Sequence, residues 1–164
     1  MEIGIVSDTH DNLDVVQAAV DLFSGRVDAV LHCGDFVAPF SATPFNADFD
    51  FYAVRGNNDG EWGLEGIVDD FGTYCGEFGR LEFDGADVAL YHGTSLEIVE
   101  ALVESGSYDY VVHGHTHERV HEGQNGTVRL NPGGIAIEPG ADGAPPAGIV
   151  LETDTGEAEF HDLR

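Results

Sequence analysis

A strand-helix-strand unit at the beginning of the chain constrains the fold more than any other feature. Residues 2–7 are apolar and β-branched, as expected for a buried strand. Asn12 then predicts a helix N-cap, the apolar residues after it recur at helical spacing, and Gly25 predicts the end of the helix. Residues 28–33 predict a second strand. Such a unit requires parallel strands joined by a right-handed crossover, so an α/β fold is expected.

The remainder of the chain continues this alternation without an internal repeat or a linker. We therefore expect residues 1–164 to form one domain, long enough to bury about 70% of its unfolded surface. Apolar residues at helical spacing predict a second helix, which Thr94 or Ser95 caps and Gly106 ends. Further strands are predicted at residues 51–55, 81–83, 87–91, 108–113, 119–122, 127–130, 148–153 and 157–160.

Several stretches lack a clear period. Residues 36–50 predict a loop with a short helix. Residues 60–79 contain six glycines and predict an access loop that leads into a hairpin. Asn131-Pro132-Gly133-Gly134 predicts a turn, and Pro145-Pro146 closes a loop rich in glycine and proline.

The charge balance narrows the environment in which the protein works. Asp and Glu number 31 against 6 basic residues, all of them arginine, for a formal net charge of -25. Without a basic cluster, binding to duplex nucleic acid is not expected. Disorder is also not expected, because 42% of the residues are apolar and the strand patterns are regular. We expect a salt-accumulating cytosol, in which about 1 M salt shortens the Debye length to about 3 Å and screens self-repulsion. An ordinary acidic cytosolic protein is the alternative.

The sequence shows no signal for export or for a membrane. Residues 1–6 contain no basic region and run directly into the first strand, so no signal peptide is predicted. No apolar run approaches the ~20 residues that a membrane helix needs. Cys33 and Cys75 form no CxxC motif and are expected to be free thiols. These features predict a cytoplasmic protein that binds no membrane.

Polar side chains follow five of the predicted strands at the point where each strand ends. Because ligands gather at the carboxyl ends of strands in open α/β sheets, we expect these side chains to share one pocket. In an extended backbone, the histidines of Gly114-His115-Thr116-His117 would enter that pocket roughly 6–7 Å apart. That separation suits two metal ions about 3.5–4 Å apart, with one histidine to each. The candidate ligands are Asp8, His10, Asp35, Asn57, His92, His115 and His117.

The chemistry of these donors predicts two transition-metal ions. Carboxylates, an amide oxygen and imidazoles, without a thiolate, suit Mn, Fe, Co, Ni or Zn better than Ca or Mg. The set is too large for one tetrahedral site, but it fits two ions that share a bridging carboxylate. Such a site would acidify a bridging water and hold an anionic substrate, so in-line attack on phosphorus follows. Manganese is the expected metal.

The same motifs resemble those of the calcineurin-like metallophosphoesterases. Length and spacing are similar to the small archaeal and bacterial phosphodiesterase branch of that superfamily. The resemblance implies a four-layer αββα sandwich, in which two mixed β-sheets are flanked by helices. The matching motifs are, in order, Asp8-x-His10, Gly34-Asp35, Gly56-Asn57-Asn58-Asp59, His92 and Gly114-His115-Thr116-His117.

The resemblance also implies a role for each matching residue. One metal would be held by Asp8, His10 and His117. The second would be held by Asn57, His92 and His115, with Asp35 as the bridge. The implied catalytic residues are Asp35, Asn57, Asn58, Asp59 and His92.

Asn58 and Asp59 directly follow the motif asparagine, Asn57. Many family members carry histidine directly after the motif asparagine, where it protonates the leaving group. Asn58 occupies that position here and cannot do so, so protonation of the leaving group is expected to be weaker or to come from water or another residue. This favours substrates with good leaving groups, such as activated or nucleotide diesters. Asp59 is expected to orient a neighbouring imidazole.

The expected function is therefore that of a dimetal phosphodiesterase in which a metal-bridging hydroxide attacks phosphorus. The alternatives are a phosphomonoesterase, a dinucleotide polyphosphate hydrolase, and a non-catalytic scaffold similar to the retromer subunit. That scaffold lacks part of the ligand set, whereas every ligand position is filled here. The expected partner is a small phosphoester, with a nucleotide-like substrate and a homo-oligomer left open.

Other chemistry-bearing residues are expected to be structural. His32 and His113 lie in strands and are expected to be buried and hydrogen-bonded. Arg55 is expected to form a surface ion pair, with contact to a substrate phosphate as the alternative. Trp62 and Phe36 could stack on a nucleobase, but packing in the core or in a loop is the favoured interpretation.

Overall fold

The structure is a computed structural model that describes residues 1–60, 62–134 and 145–164. Two short 3-10 turns, Pro39–Ser41 and Thr43–Phe45, precede the third strand. The other elements are β1 (Glu2–Val6), α1 (Leu13–Phe23), β2 (Ala29–His32), β3 (Asp50–Ala53), α2 (Gly63–Asp69), β4 (Thr73–Tyr74), β5 (Phe78–Phe83), β6 (Ala86–Tyr91), α3 (Leu96–Glu104), β7 (Tyr110–Val112), β8 (Arg119–Gln124), β9 (Thr127–Pro132), β10 (Ala147–Glu152) and β11 (Glu157–Asp162).

The described strands form two mixed sheets. The first has the order β11-β10-β1-β2-β3-β4, in which β1 to β4 are parallel and β10 pairs with β1 in the antiparallel sense. The second has the order β5-β6-β7-β9-β8, with β6, β7 and β9 parallel. Antiparallel hairpins border that parallel centre on both sides. The β1-α1-β2 unit forms as the sequence predicts.

The buried side chains show that the sheets pack face to face between layers of helix. Ile5 and Leu31 of the first sheet belong to the same cluster as Leu90 and Val112 of the second. A separate cluster covers the other face of the first sheet, where Phe23 of α1 packs with residues of α2. On the far face of the second sheet, α3 packs against β6 and β7. The architecture is therefore the expected four-layer αββα sandwich.

Local sequence signals account for most of the element boundaries. The Asn12 side chain accepts a hydrogen bond from the Val15 amide at 3.2 Å and caps α1, and Gly25 follows the helix with a φ of +68°. The turns at Asp84-Gly85 and Asn125-Gly126 have positive φ at both residues, as a tight hairpin turn requires.

Two segments differ from the expectation. Residues 60–79 contain the helix α2. The sequence does not predict this helix, because glycines lie at its beginning and in its middle and glycine weakens a helix. The buried side chains of Leu64 and Val68, four residues apart, hold this helix against the core. Asn131 and Pro132 belong to β9 rather than to a turn. The predicted loop before Pro145 lies outside the described residues.

Within the described part of the chain, no helix is long and apolar enough to cross a membrane. Cys33 and Cys75 are free thiols, as expected, and Cys33 is buried.

Candidate metal centre

Both sheets direct the carboxyl ends of their parallel strands toward one place. In the first sheet, β1 leads into Asp8 and His10, and β2 leads into Asp35. The turns after these strands are tied together, because the Asp8 amide donates to the Gly34 carbonyl at 3.0 Å and the His10 amide donates to the Asp35 carbonyl at 3.1 Å. In the second sheet, the Gly114 amide donates to the His92 carbonyl at 2.8 Å and joins the turns after β6 and β7.

The backbone at the candidate ligands adopts a conformation that side chains other than glycine rarely accept. Asp8, His10, Asp35, His115 and His117 have φ values of +53°, +43°, +60°, +64° and +57°. A left-handed residue of this kind costs roughly 1–2 kcal/mol. Such strain persists only where the surroundings enforce it, and it concentrates at functional sites.

The first group of converging atoms consists of Asp8, His10 and His117. The Asp8 Oδ1 lies 3.2 Å from the His117 Nε2 and 3.9 Å from the His10 Nε2. The Asp8 Oδ1 and the His10 Nε2 are buried and have no hydrogen-bond partner within the described residues. Buried polar atoms are normally paired, so these two atoms fit the requirements of a bound cation. Their chemistry, one carboxylate and two imidazoles, suits a transition metal.

The second group forms around Asp35 and His92. The His92 Nδ1 lies 2.7 Å from the Cys33 carbonyl, to which it donates, and this contact leaves the Nε2 as the ligand atom. The His92 Nε2 lies 3.5 Å from the Asp35 Oδ2 and 3.0 Å from the Asn57 Oδ1. Ligand atoms of Asp8, Asp35 and His92 all lie within 4.8 Å of one another, as do those of Asp8, His10 and His117.

Asp35 belongs to the second group and also lies close to His10 of the first. Its Oδ2 is 3.6 Å from the His10 Nε2 on one side and 3.5 Å from the His92 Nε2 on the other. The side chain is buried. This carboxylate oxygen therefore has the position that a bridge between two cations would need.

His115 is placed less tightly than the other expected ligands. Its ring centroid is 5.1 Å from that of His92, but its side chain belongs to neither of the close groups. Its backbone amide donates to the Asp8 Oδ2 at 3.0 Å. The backbone of His115 therefore contacts Asp8, and its ring lies beside His92 of the second group.

The electrostatics of the site keep its carboxylates ionised. Burial raises the pKa of Asp8, but the nearby His117 ring, the hydrogen bond from Ser7 and the charge of His92 together outweigh burial, so the pKa lies below its usual value. Burial also raises the pKa of Asp35, and contacts with His92 and Asn58 outweigh it and bring the pKa well below normal. Burial lowers the pKa of His92, but the neighbouring carboxylates bring it above its ordinary value. The site therefore attracts cations.

Asp59 organises the backbone around Asp35. Its Oδ2 accepts the amide of Asp35 at 2.9 Å and that of Gly56 at 2.8 Å, and its Oδ1 accepts the amide of Val37 at 2.8 Å. The expected role of Asp59, orientation of an imidazole, is therefore wrong. The motif identifies Asp59 as a residue of the site, but the sequence does not indicate which backbone amides it binds.

Asn58 contacts the Asp35 carboxylate. Its backbone amide donates to the Asp35 Oδ1 at 2.8 Å, and its Nδ2 donates to the Asp35 Oδ2 at 2.7 Å. These two contacts of Asn58 fix the orientation of the Asp35 carboxylate.

Sequence reasoning overlooked the close packing of Ser7 and two glycines around Asp8. The Ser7 hydroxyl donates to the Asp8 Oδ2. A Cβ on Gly114 would overlap both of these groups, and a Cβ on Gly134 would lie 2.5 Å from the Asp8 Cβ. Only glycine allows the turn after β7 to approach Asp8 this closely.

Asn131 also supports the site, although its sequence pattern predicts only a turn. This buried side chain donates to the Gly114 carbonyl at 3.0 Å and to the Thr116 Oγ1 at 3.0 Å. The buried ring of His113 lies with its Nδ1 3.0 Å from the same carbonyl and accepts a hydrogen bond from the Arg129 Nε at 2.9 Å. These contacts hold the turn that carries His115 and His117. The Asn-Pro-Gly-Gly sequence was the signal that could have indicated this role.

Most of the remaining expectations are confirmed. His32 is buried and accepts the Gly34 amide, and its ring stacks on the buried ring of Phe36 at 3.5 Å between centroids. Arg55 forms the expected surface ion pair, with 3.3 Å between its NH1 and the Glu77 Oε1. The interpretation of Trp62 as a packed residue is wrong, because its side chain is 98% exposed.

The sequence matches the signature of a known superfamily. The signature of the calcineurin-like phosphoesterase superfamily domain matches residues 1–156. The chain belongs to this superfamily.

Individual relatives agree with this assignment. Phosphodiesterase MJ0936 of Methanocaldococcus jannaschii is 37% identical over 99% of this chain and 98% of its own length. The solved structure of an archaeal phosphodiesterase is 35% identical, covers 98% of this chain and 99% of its own, and superimposes with a TM-score of 0.89. Vps29 of Entamoeba histolytica, solved in complex with Zn²⁺, is 19% identical with a TM-score of 0.69 over the whole of both chains, and this likeness shows the fold alone.

Proposed function

We propose that this chain is a dimetal phosphodiesterase, in which residues 1–164 act as one catalytic domain in the cytoplasm. The observation that carries the proposal is the position of the Asp35 Oδ2, between the His10 Nε2 at 3.6 Å and the His92 Nε2 at 3.5 Å. Asp35 forms one group of converging ligand atoms with Asp8 and His92, and Asp8 also belongs to the other group, with His10 and His117. Superfamily membership and the 37% identical phosphodiesterase support the reaction class.

The first proposed ligand set is the group of Asp8, His10 and His117, and the second adds to His92 its neighbours Asn57 and His115. The first ion would be held by Asp8, His10 and His117, and the second by Asn57, His92 and His115, with Asp35 shared. Manganese is the expected metal, and nickel, cobalt, iron or zinc would suit the same donors. When bound, two divalent ions would acidify the water that supplies the attacking hydroxide and would neutralise charge on the phosphate.

Asn58 supplies orientation rather than a proton. Asn58 holds the Asp35 carboxylate through both its backbone amide and its Nδ2. An amide cannot donate a proton outright to a departing alkoxide at neutral pH. This supports a preference for phosphodiesters whose leaving group is stable as an anion, with nucleotide-like esters among the expected substrates.

We also propose that the protein works in high salt. The net charge of -25 creates self-repulsion that dilute buffer does not screen. A negative protein would also repel an anionic substrate at long range, and molar salt would remove that barrier.

A paired assay tests the proposal. Bis(p-nitrophenyl) phosphate and p-nitrophenyl phosphate are offered in molar KCl, with Mn, Co, Ni and Zn added separately. We expect metal-dependent cleavage with a preference for the diester. Asp35→Asn should lower the rate by more than the roughly 10–100-fold that loss of a ligand's supporting contact costs. Asp48→Asn is the matched control, because it removes the same charge as Asp35→Asn but from an exposed position.

Three results would overturn parts of the proposal. Absence of cleavage with every metal would favour a non-catalytic scaffold. Faster cleavage of the monoester would identify a phosphomonoesterase. Full activity of Asp35→Asn would remove Asp35 as the bridge.

A further inference from the structure

The chain contains a single tryptophan, and its position is unusual. Trp62 lies directly before α2, and its side chain is 98% exposed. The other large apolar side chains that are exposed in the described residues range from 38% to 54%. Tryptophan combines a large apolar face with a polar N–H and is enriched where a protein meets a ligand or partner.

Trp62 borders a pocket of about 200 Å³ next to the candidate metal centre. The pocket is lined by Arg55, Asp59, Gly60, Trp62, Glu65 and Tyr74. Asp59 connects it to the metal centre, because its carboxylate accepts the amides of Asp35 and Gly56. Asp59 therefore places this pocket close to the backbone of Asp35.

The lining defines the kind of group that would fit. Trp62 and Tyr74 offer aromatic surfaces on which a planar ring can stack. The Arg55 guanidinium is held in place, since its Nε donates to the Asp59 carbonyl at 3.2 Å and its NH1 lies 3.3 Å from Glu77. Aromatic faces beside a fixed arginine are the features with which proteins bind nucleobases without strict sequence preference.

We propose that this pocket receives the nucleobase of a nucleotide phosphoester and that Trp62 stacks on that base. The inference rests on the proposed phosphoesterase function and deepens it, because it names the substrate class. The phosphate would lie at the metal centre and the base beside Trp62, with Arg55 along the path between them.

Fluorescence provides a test that does not depend on turnover. Because Trp62 is the only tryptophan in the sequence, all tryptophan emission reports on this position. Adenosine 5′-monophosphate should quench and shift the emission in a saturable way in molar KCl. Ribose 5-phosphate, which carries the same phosphate without the base, should leave it unchanged. Equal responses to both compounds, or a response to neither, would overturn the proposal.

Kinetics of paired substrates provide the second test. Thymidine 5′-(p-nitrophenyl phosphate) and methyl p-nitrophenyl phosphate share a leaving group and differ in the nucleoside. Trp62→Ala should lower kcat/KM for the thymidine ester by about five- to 150-fold, the range that base stacking on an aromatic residue provides. It should leave kcat/KM for the methyl ester unchanged. Phe78→Ala, an exposed aromatic ring that contacts Tyr108, is the matched control and should affect neither substrate.

The outcomes separate the two proposals. If the wild-type protein cleaves neither ester, the phosphodiesterase function fails, and the fluorescence arm still tests the base-binding pocket. If the protein cleaves both esters and Trp62→Ala changes their rates equally, the function stands and the base-binding role fails. A change of emission with protein concentration instead of with nucleotide would assign Trp62 to contact with a second copy of the chain.

Discussion

Replacement of Asp59 by asparagine tests how much of the site depends on one buried carboxylate. Asp59 is 4% exposed and accepts three backbone amides with its two oxygens. An asparagine can keep its Oδ1 toward the amides of Asp35 and Gly56, which share one oxygen of the aspartate. Its NH₂ group would then face the Val37 amide, so that two donors meet. The substitution therefore leaves one buried amide without an acceptor.

The magnitude follows from that unpaired group. An unsatisfied buried donor costs about 1–3 kcal/mol of unfolding free energy. For a chain of this size, each kcal/mol lowers Tm by about 2–4 °C. We expect Asp59→Asn to lower Tm by roughly 2–12 °C in metal-free buffer with molar KCl. Because the amide of Asp35 is held by Asp59, metal affinity should also fall by about 10–100-fold.

Thermal unfolding and calorimetric titration with Mn²⁺ measure the two effects. Asp48→Asn is the control, because Asp48 accepts the Gly25 amide at 3.0 Å from an exposed position, where asparagine can make the same bond. That variant should match the wild type in both measurements while losing the same charge. If Asp59→Asn also matches the wild type in Tm and in metal affinity, the positioning role assigned to Asp59 is refuted.

Three further predictions concern separate features of the fold. Gly114→Ala should abolish metal binding, because its Cβ would overlap Ser7 and Asp8. Gly123→Ala should be tolerated, because the space around Gly123 is open. Metal analysis of the two purified proteins compares these variants. Burial lowers the pKa of His32 from 6.5 to about 3. Between these two values the imidazole of the unfolded chain binds a proton and that of the folded chain does not. His32 should therefore lower the free energy of unfolding by about 1.4 kcal/mol for each pH unit by which the pH decreases from 6.5 toward 3. Denaturant unfolding at a series of pH values should show a flatter slope for His32→Gln, and an unchanged slope would contradict the assignment. The net charge of -25 predicts a higher Tm in molar KCl than in dilute buffer, and a Tm that does not rise with salt would contradict adaptation to a salt-rich cytosol.

The parts of the fold that local chemistry determines could be predicted from the sequence. The cap at Asn12 and the hairpin turns at Asp84-Gly85 and Asn125-Gly126 depend on neighbouring residues, and the structure has each of them. The helix α2 could not be predicted in this way. Its glycines oppose a helix locally, and it forms because Leu64 and Val68 reach the core.

The candidate site divides in the same manner. The candidate ligands can be recognised in the sequence, because each follows a strand in a known motif. The residues that support these ligands cannot be recognised in this way, because the groups that they contact are distant in the chain. Asn131 lies 17 residues from the carbonyl of Gly114 that it binds, and Asp59 lies 24 residues from the amide of Asp35. Only the meeting of the two sheets shows what these side chains do.

The central claim, two metal ions that share Asp35, is tested most directly by anomalous diffraction from crystals grown with Mn²⁺. We expect two anomalous peaks about 3.5–4 Å apart, the separation typical of two-metal sites, with the Asp35 carboxylate between them. One peak should lie against Asp8, His10 and His117, and the other against Asn57, His92 and His115. A single peak, or two peaks of which neither contacts Asp35, would contradict the claim.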